Sequence, residues 1–296
     1  MSDYFTTREL AALLRVKERK IYDLVSGKAL PVRRVTGKLL FPKKEIEDWI
    51  AASHDGGAQP AKAAETGPLP LIMAGGHDPL LDWALRESRC GIAALLDGAL
   101  DGLARFGQRG CLAAGLHIPD ETATQWNVAA VKREFGQEPV VLIEWAKRTR
   151  GLMYRPTEKR RIAKLADVGK LRFQSRQPEA GSELVLSTLL AKEGLGKADL
   201  EIVDAVERTE TDLAMAIAAG RADVGLGIEA VARQFGLAFT PLVVERFDLL
   251  VWRKSYFDPP FQSFTKFCAG DAFRSRAQTM GGYDCIHQGA VHFNGA

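Results

Sequence analysis

Residues 69–85 read LPLIMAGGHDPLLDWAL. Leu69 to Ala74 form a short apolar run, Gly75-Gly76-His77-Asp78-Pro79 interrupts it, and Leu80, Leu81, Trp83, Ala84 and Leu85 follow at helical spacing. A strand, a glycine turn and a helix start leave free backbone N–H groups and the positive end of a helix at one spot, which suits an anion or a polar ligand. The same unit recurs down the chain. Gly91 to Leu96 leads into a helix to Phe106, Cys111 to Ile118 into Gln125 to Phe135, and Val140 to Trp145 stands as a further strand. Leu171 to Ser175 leads into Ser182 to Glu193, Leu200 to Val206 into Asp212 to Ala219, and Val224 to Ile228 into Glu229 to Phe235. Such alternation predicts α/β layers with mainly parallel sheets.

Upstream lies a stretch of another kind. Residues 51–70, AASHDGGAQPAKAAETGPLP, hold six Ala, three Gly and three Pro and almost no large apolar side chain. This composition marks a linker. The reading divides the chain into residues 1–50, a linker over 51–69, and a body over 70–296.

In the head, Thr6 and Glu9 form a T-x-x-E capping box, and Leu10, Leu13 and Leu14 give a helical stripe over Thr7 to Leu14. A break at Arg15-Val16 precedes a second helix, about Lys17 to Ser26, with Ile21, Leu24 and Val25 facing inward and Gly27 as its stop. Val32 to Val35 and Lys38 to Phe41 flank Thr36-Gly37 as a hairpin, and Pro42 opens a last helix carrying Ile46, Trp49 and Ile50. The second helix offers Lys17, Arg19, Lys20 and Tyr22, and the hairpin offers Arg33, Arg34 and Lys38. Two cationic elements of this kind suit double-stranded DNA and its phosphates. Glu18 and Asp23 on the same helix would repel phosphate.

Charge follows this division. Forty Lys and Arg against 37 Asp and Glu leave only +3 overall, yet residues 1–50 hold 11 basic and 7 acidic side chains, and the remainder 29 against 30. The positive excess therefore sits in the head, as expected when one end of a chain meets a polyanion. Cys90, Cys111, Cys268 and Cys285 are widely spaced with no CxxC pair, which points to separate reduced thiols and to no metal centre. The start, MSDYFTTRE, lacks the basic and apolar regions of a secretory signal, and no run of about 18 apolar residues occurs. These features predict a cytoplasmic protein with no membrane contact.

The head resembles the excisionase or MerR-like winged helix-turn-helix, on TTRELAALLRV at 6–16, YDLVSGKALP at 22–31, RVTGK at 34–38 and FPKKEIEDWI at 41–50. The body resembles the type II periplasmic-binding-protein-like domain, in the branch related to molybdate-binding proteins. The residues that carry it are GGHDP at 75–79, AGLHIPD at 114–120, RGLMYRP at 150–156, RFQSRQPEAGSE at 172–183, AAGRADVGLGIEAVARQFGLAFTPL at 218–242, ERFDLL at 245–250 and GGYD at 281–284. The resemblance implies two α/β lobes joined by crossover strands near Val141 to Tyr154 and Leu242 to Trp252, with a ligand between the lobes. Cleft residues are then expected at strand ends and helix starts: Gly75, Gly76, His77, Asp78, Gly98, His117, Arg176, Gln177, Gly181, Ser182, Thr211 and Glu229. His77 and Arg176 can counter an anion, although His77 also suits a helix cap and Arg176 a bracing salt bridge. His117 suits a bond to a nearby carbonyl, and Thr211 suits an N-cap.

The chain departs from the pattern of its relatives in two places. Gly76 stands where they often carry Ser, and Glu179-Ala180-Gly181-Ser182-Glu183 replaces a G-S-G-T-R stretch, losing one hydroxyl and exchanging a cation for a carboxylate. Each missing donor weakens the hold on a dianion by about 1 kcal/mol or more. The expected function is a one-component transcriptional regulator, not an enzyme and without a cofactor. It would sense molybdate, tungstate or a molybdenum-cofactor-related metabolite and act as a homodimer or higher homo-oligomer. The competing reading is an enzyme or ligand-binding protein of molybdenum-cofactor metabolism that uses the same cleft, or a larger or less charged metabolite as the ligand.

Overall fold

Thr6 starts the first helix of the protein. Its hydroxyl accepts the Glu9 N–H at 3.3 Å, and the Glu9 carboxylate takes the Thr6 N–H at 2.8 Å, so two helix-end groups are satisfied reciprocally. The computed structural model describes residues 4–14, 16, 18, 21–22, 25, 30–35, 38–46, 67–156 and 162–296, with the backbone alone at Arg34, Val35 and Lys38. Two compact units result, Met1–Gly67 and Pro68–Ala296.

The first unit combines β1 (Tyr4–Thr6), α1 (Thr7–Leu13), β2 (Arg33–Val35) and β3 (Lys38–Pro42). The strands form a small antiparallel sheet ordered β1-β3-β2, in which Val35 pairs with Lys38. Leu10, Ala11, Ile21, Leu30, Phe41 and Ile46 make its core. Leu13, expected on the apolar stripe, is 48% exposed. At 100° per residue, Leu10, Ala11 and Leu14 span one face and Leu13 falls at its rim. Pro42 closes β3 and the expected helix follows directly from it over residues 43–46. Leu24, Gly27, Trp49, Ile50 and the linker residues 51–66 lie outside the described residues.

The second unit is organised by two strands of 15 residues, β7 (Val140–Tyr154) and β11 (Ala238–Trp252), paired antiparallel along their length. Around one half of this pair lie β4 (Ile72–Gly75), β5 (Ala93–Leu95) and β6 (Ala113–Leu116), which run parallel to one another, with α2 (Pro79–Glu87), α3 (Ala99–Gly107) and α4 (Val128–Phe135). Around the other half lie β8 (Arg172–Gln174), β9 (Glu201–Ile202) and β10 (Val224–Ile228), also mutually parallel, with α5 (Gly181–Lys192), α6 (Glu210–Ala218) and α7 (Glu229–Gln234). The path β5-β4-β6-β11-β7-β10-β8-β9 is one continuous sheet, so the mainly parallel pairing expected from the sequence holds within each lobe and gives way to antiparallel pairing where the lobes join.

Each lobe has its own apolar core. In the first, Trp145 stacks on Phe264 and meets Phe273 edge-on, while Phe106 stacks on Trp252 at 4.5 Å. In the second, Leu152, Phe173, Val185, Leu186 and Val224 are fully buried. The C-terminal segment α8 (Arg253–Phe257), α9 (Pro259–Cys268) and α10 (Asp271–Met280) returns over the first lobe, and β12 (Tyr283–Asp284) and β13 (Val291–Asn294) add to β7. The helix expected from Gln125 begins only at Val128, because Trp126 bridges back to Pro119 and Asn127 takes a positive φ of 62°. With ψ −42°, Asn127 is the centre of a tight three-residue turn in which the Val128 N–H donates to the Trp126 carbonyl at 2.6 Å. Among the described residues, no helix is long and apolar enough to cross a membrane.

Candidate functional site

The site lies where the long strands pass between the lobes. Arg148 and Arg150 are two residues apart on β7 and so share a face, and the register sets Glu245 of β11 opposite Arg148. The register skips Trp145, leaving it as an extra residue on β7. That irregularity lets Trp145 and Arg148 reach the same acceptor, Asp78, despite their odd spacing.

Asp78 is the N-cap of α2. Its Oδ1 accepts the Leu81 N–H at 2.7 Å and the Trp145 indole N–H at 3.2 Å; its Oδ2 accepts from Arg148 at 2.9 Å and from the Tyr283 hydroxyl at 2.8 Å. Four donors from three segments thus use both oxygens of a fully buried carboxylate. Burial, with Asp78 alongside, pushes the Tyr283 hydroxyl well above its usual range, so it stays a donor.

Glu245 is the hub. It accepts from Arg148, from the Arg150 Nε at 2.8 Å and Nη2 at 2.9 Å, and meets His117 Nδ1 at 3.2 Å. Arg150 continues to Glu210 at 2.9 Å, and Arg176 approaches the same Glu210 oxygen at 3.4 Å. Burial opposes ionisation of both acids, but the neighbouring guanidiniums win, holding Glu245 well below the carboxylate range and Glu210 at about 2. Three arginines therefore face three carboxylates, Asp78, Glu210 and Glu245, inside one buried network with no excess charge.

The residues singled out from the sequence divide into groups. His117, Gly76 and Gly181 come together: a Cβ on Gly76 would lie 2.9 Å from the His117 ring and one on Gly181 2.7 Å from it, so the imidazole is seated between two glycine turns of opposite lobes, with Phe247 stacked at 5.6 Å. Gly98 caps α3 and donates to the Gly75 carbonyl at 2.9 Å. Gln177 donates to the Asp97 and Arg208 carbonyls, and Arg176 to those of Glu207 and Arg208. Ser182, in the first turn of α5, has a buried hydroxyl without a partner among the described residues. Thr211, expected as an N-cap, lies inside α6; Thr209 is the cap, because its hydroxyl is the one that accepts the Asp212 N–H, at 2.9 Å. Glu229 pairs with Arg233 one turn on along α7.

Of the DNA-facing candidates, Lys17, Arg19 and Lys20 lie outside the described residues, as do the side chains of Arg34 and Lys38. Tyr22 is exposed, and Arg33 meets Glu45 at 2.8 Å in a pair half-open to solvent, an arrangement worth little and easily exchanged for phosphate.

The lobes touch through polar bonds and through Met280 and Tyr283, which pack against the apolar cluster of α6 and α7. The Leu100 N–H at the start of α3 donates to the Glu179 carbonyl at 3.0 Å, Gln177 reaches the Asp97 carbonyl at 2.9 Å, Arg208 pairs with Asp97, and the Glu210 N–H meets His77 Nδ1 at 3.3 Å. Sequence reasoning passed over Arg148, Arg150, Glu210, Glu245 and Tyr283. A signal existed: VVLIEWAKRTRGLMY and AFTPLVVERFDLLVW are apolar strands with charged residues in their middles, an unusual arrangement unless the charges of one strand meet those of another.

Both cleft histidines are neutral. Burial is the main cause and lowers each below its ordinary 6.5, with Glu210 opposing at His77 and Glu245 at His117. Below pH 6.5 the unfolded chain takes up protons that the folded chain refuses, so stability is lost as pH falls toward the folded values. Asp248, which burial raises to about 6, works in the opposite sense and offsets part of the loss between its ordinary 3.8 and 6. Urea midpoints are therefore expected to fall from pH 7 to pH 5, and His117→Gln is expected to flatten that slope.

Comparison with known proteins fits this geometry. Residues 83–269 match the PBP superfamily domain and residues 4–54 a helix-turn-helix domain. The "Uncharacterized protein YvgK" of Bacillus subtilis (strain 168) is 24% identical over 302 residues, spanning 97% of both chains. Among solved structures, a hydrogen-peroxide-bound cysteine mutant of Corynebacterium glutamicum OxyR superposes with a TM-score of 0.50 at 12% identity, over 93% of this chain and 89% of that one. A putative phosphate ABC transporter substrate-binding protein from Clostridium perfringens, with bound phosphate, gives 0.50 at 10% identity, over 74% and 98%. These two likenesses show the fold.

Proposed function

This chain belongs to the PBP superfamily, and from that premise we propose that it is a ligand-responsive, DNA-binding transcriptional regulator of the cytoplasm. The observation that carries the reading is the joining of a helix-turn-helix head to a two-lobed body with polar bonds running from lobe to lobe across the cleft. A ligand that binds one lobe arrangement better than another shifts the balance between them, and that shift is what a sensor transmits. The ionisable groups of the cleft are paired with one another, which favours binding over catalysis.

The ligand is small and polar. Arg148, Arg150 and Arg176 already have carboxylate partners, so an anion such as molybdate or tungstate would draw its hydrogen bonds from backbone N–H and hydroxyl groups rather than from a free guanidinium. One head of this size contacts few base pairs, so paired heads in a homo-oligomer are proposed as the DNA-binding form.

The test is a gel shift of the full chain against the DNA upstream of its own coding sequence, with and without small oxyanions and with a metabolite extract. Binding that responds to one of these supports the reading; no binding at low salt overturns it. Lys17→Ala, Arg19→Ala and Lys20→Ala are each expected to weaken binding to all sequences alike. Each should also lower the slope of log affinity against log salt by about one, the counterion that a single neutralised phosphate releases.

A further inference from the structure

If the body is a sensor, as proposed above, its ligand has to satisfy the polar atoms that the closed cleft leaves unpaired. The central one is His117 Nε2. The ring faces Glu245 of β11 through Nδ1, with Arg148 and Arg150 of β7 beyond. The Glu245 carboxylate is ionised between those two arginines and can only accept, so the ring proton sits on Nδ1 and Nε2 presents a lone pair. Nε2 makes no hydrogen bond among the described residues. The ring packs between the two glycine turns, with Nε2 2.9 Å from the Cβ position of Gly76 and 2.7 Å from that of Gly181.

Around this acceptor stand donors. α5 begins at Gly181, and the N–H groups of Gly181 and Ser182 have no acceptor among the described residues. The Ser182 hydroxyl is buried in the same turn without a partner. The next carboxylate, Glu183, is turned away onto the Arg176 N–H at 2.9 Å and Lys197 at 2.5 Å, and Asp78 is consumed by its four donors. One lone pair set beside several donors asks for a ligand that accepts most of its hydrogen bonds and donates one. A proton-free oxyanion can only accept, and it would set its own lone pairs against Nε2.

We propose that the cleft takes a small oxyacid that retains a proton at neutral pH, of the phosphate type. Its O–H donates to His117 Nε2 and its bare oxygens accept from the start of α5. Molybdate, tungstate and sulfate, which carry no proton at that pH, are rejected by the same lone pair.

The experiment is isothermal titration calorimetry of the full chain, freed of bound small molecules, with inorganic phosphate, sulfate, molybdate and tungstate at pH 8, where phosphate keeps one proton and, like the other three, carries two negative charges. Phosphate is expected to bind tighter than the three proton-free anions by on the order of tenfold to a hundredfold, the penalty for an unmatched buried acceptor. His117→Gln, whose amide can donate, is expected to bring sulfate to within a few fold of phosphate; if that variant does not fold, the ratio in the unaltered chain decides. Sulfate, molybdate or tungstate binding as tightly as phosphate overturns the assignment and leaves the sensor reading standing. Failure of the whole panel to bind also overturns it, and the sensor reading is then judged separately by the response of the gel shift to metabolite extract.

Discussion

Glu245→Ala is expected to cost the body about 3–5 kcal/mol in unfolding free energy, measured by urea or guanidinium titration of the full chain with a probe in the body. Glu245 is fully buried and shared by Arg148, Arg150 and His117. Its removal leaves two guanidiniums in the interior with one carboxylate each, Asp78 for Arg148 and Glu210 for Arg150, and with donors that water cannot reach. The Arg148 Nε and the Arg150 Nη1 already lack partners among the described residues, so little slack exists to absorb the loss. Glu245→Gln keeps two polar atoms in place and is expected to cost less. A change below about 1 kcal/mol for Glu245→Ala would mean that the network adds little to the fold.

Gly98→Ala is expected to hold the lobes apart. Gly98 has φ 131° and ψ 149°, a region that a side chain essentially excludes, and its Cβ would stand 2.7 Å from the Glu179 carbonyl of the opposite lobe. That carbonyl accepts the Leu100 N–H across the cleft, so backbone meets backbone and no flexible side chain can give way. The expected result is a loss of about 1–3 kcal/mol in stability, a larger radius of gyration of the full chain by small-angle scattering, and ligand affinity reduced by about tenfold or more. Gly91→Ala serves as the control: it also has a positive φ, 79°, but its Cβ meets nothing within 4 Å. It should lose stability without opening. An unchanged scattering profile for Gly98→Ala would show that closure does not depend on this approach.

Most of the architecture was legible because it is local. The Thr6–Glu9 box, the Gly75-Gly76 turn before Asp78-Pro79 and the alternation of apolar runs with helical stripes depend on neighbours a few residues away, and those features recur in the structure. The boundaries that slipped did so where a distant contact intervened. Asn127 is turned to a positive φ at the centre of a tight turn while its side chain bonds Ile118, Leu116 and Asp248, which a helical pattern from Gln125 cannot show. The candidate site was legible by position but not by role. Gly76, His117 and Gly181 were chosen as strand ends and helix starts, and they do converge, yet nothing in their spacing tells that one ring would sit between two glycines of opposite lobes.

The sequence by itself determined that a basic helix-turn-helix head precedes an α/β body, since capping, periodicity and turn chemistry are set by residues close in the chain. Only the tertiary structure decided which charges belong together. Asp78 lies 67 residues before Trp145 and 205 before Tyr283, and Glu245 lies 128 after His117. Their meeting is fixed by the register of two long strands and by the packing of a helix end against them, and a buried charge finds its partner through that geometry alone.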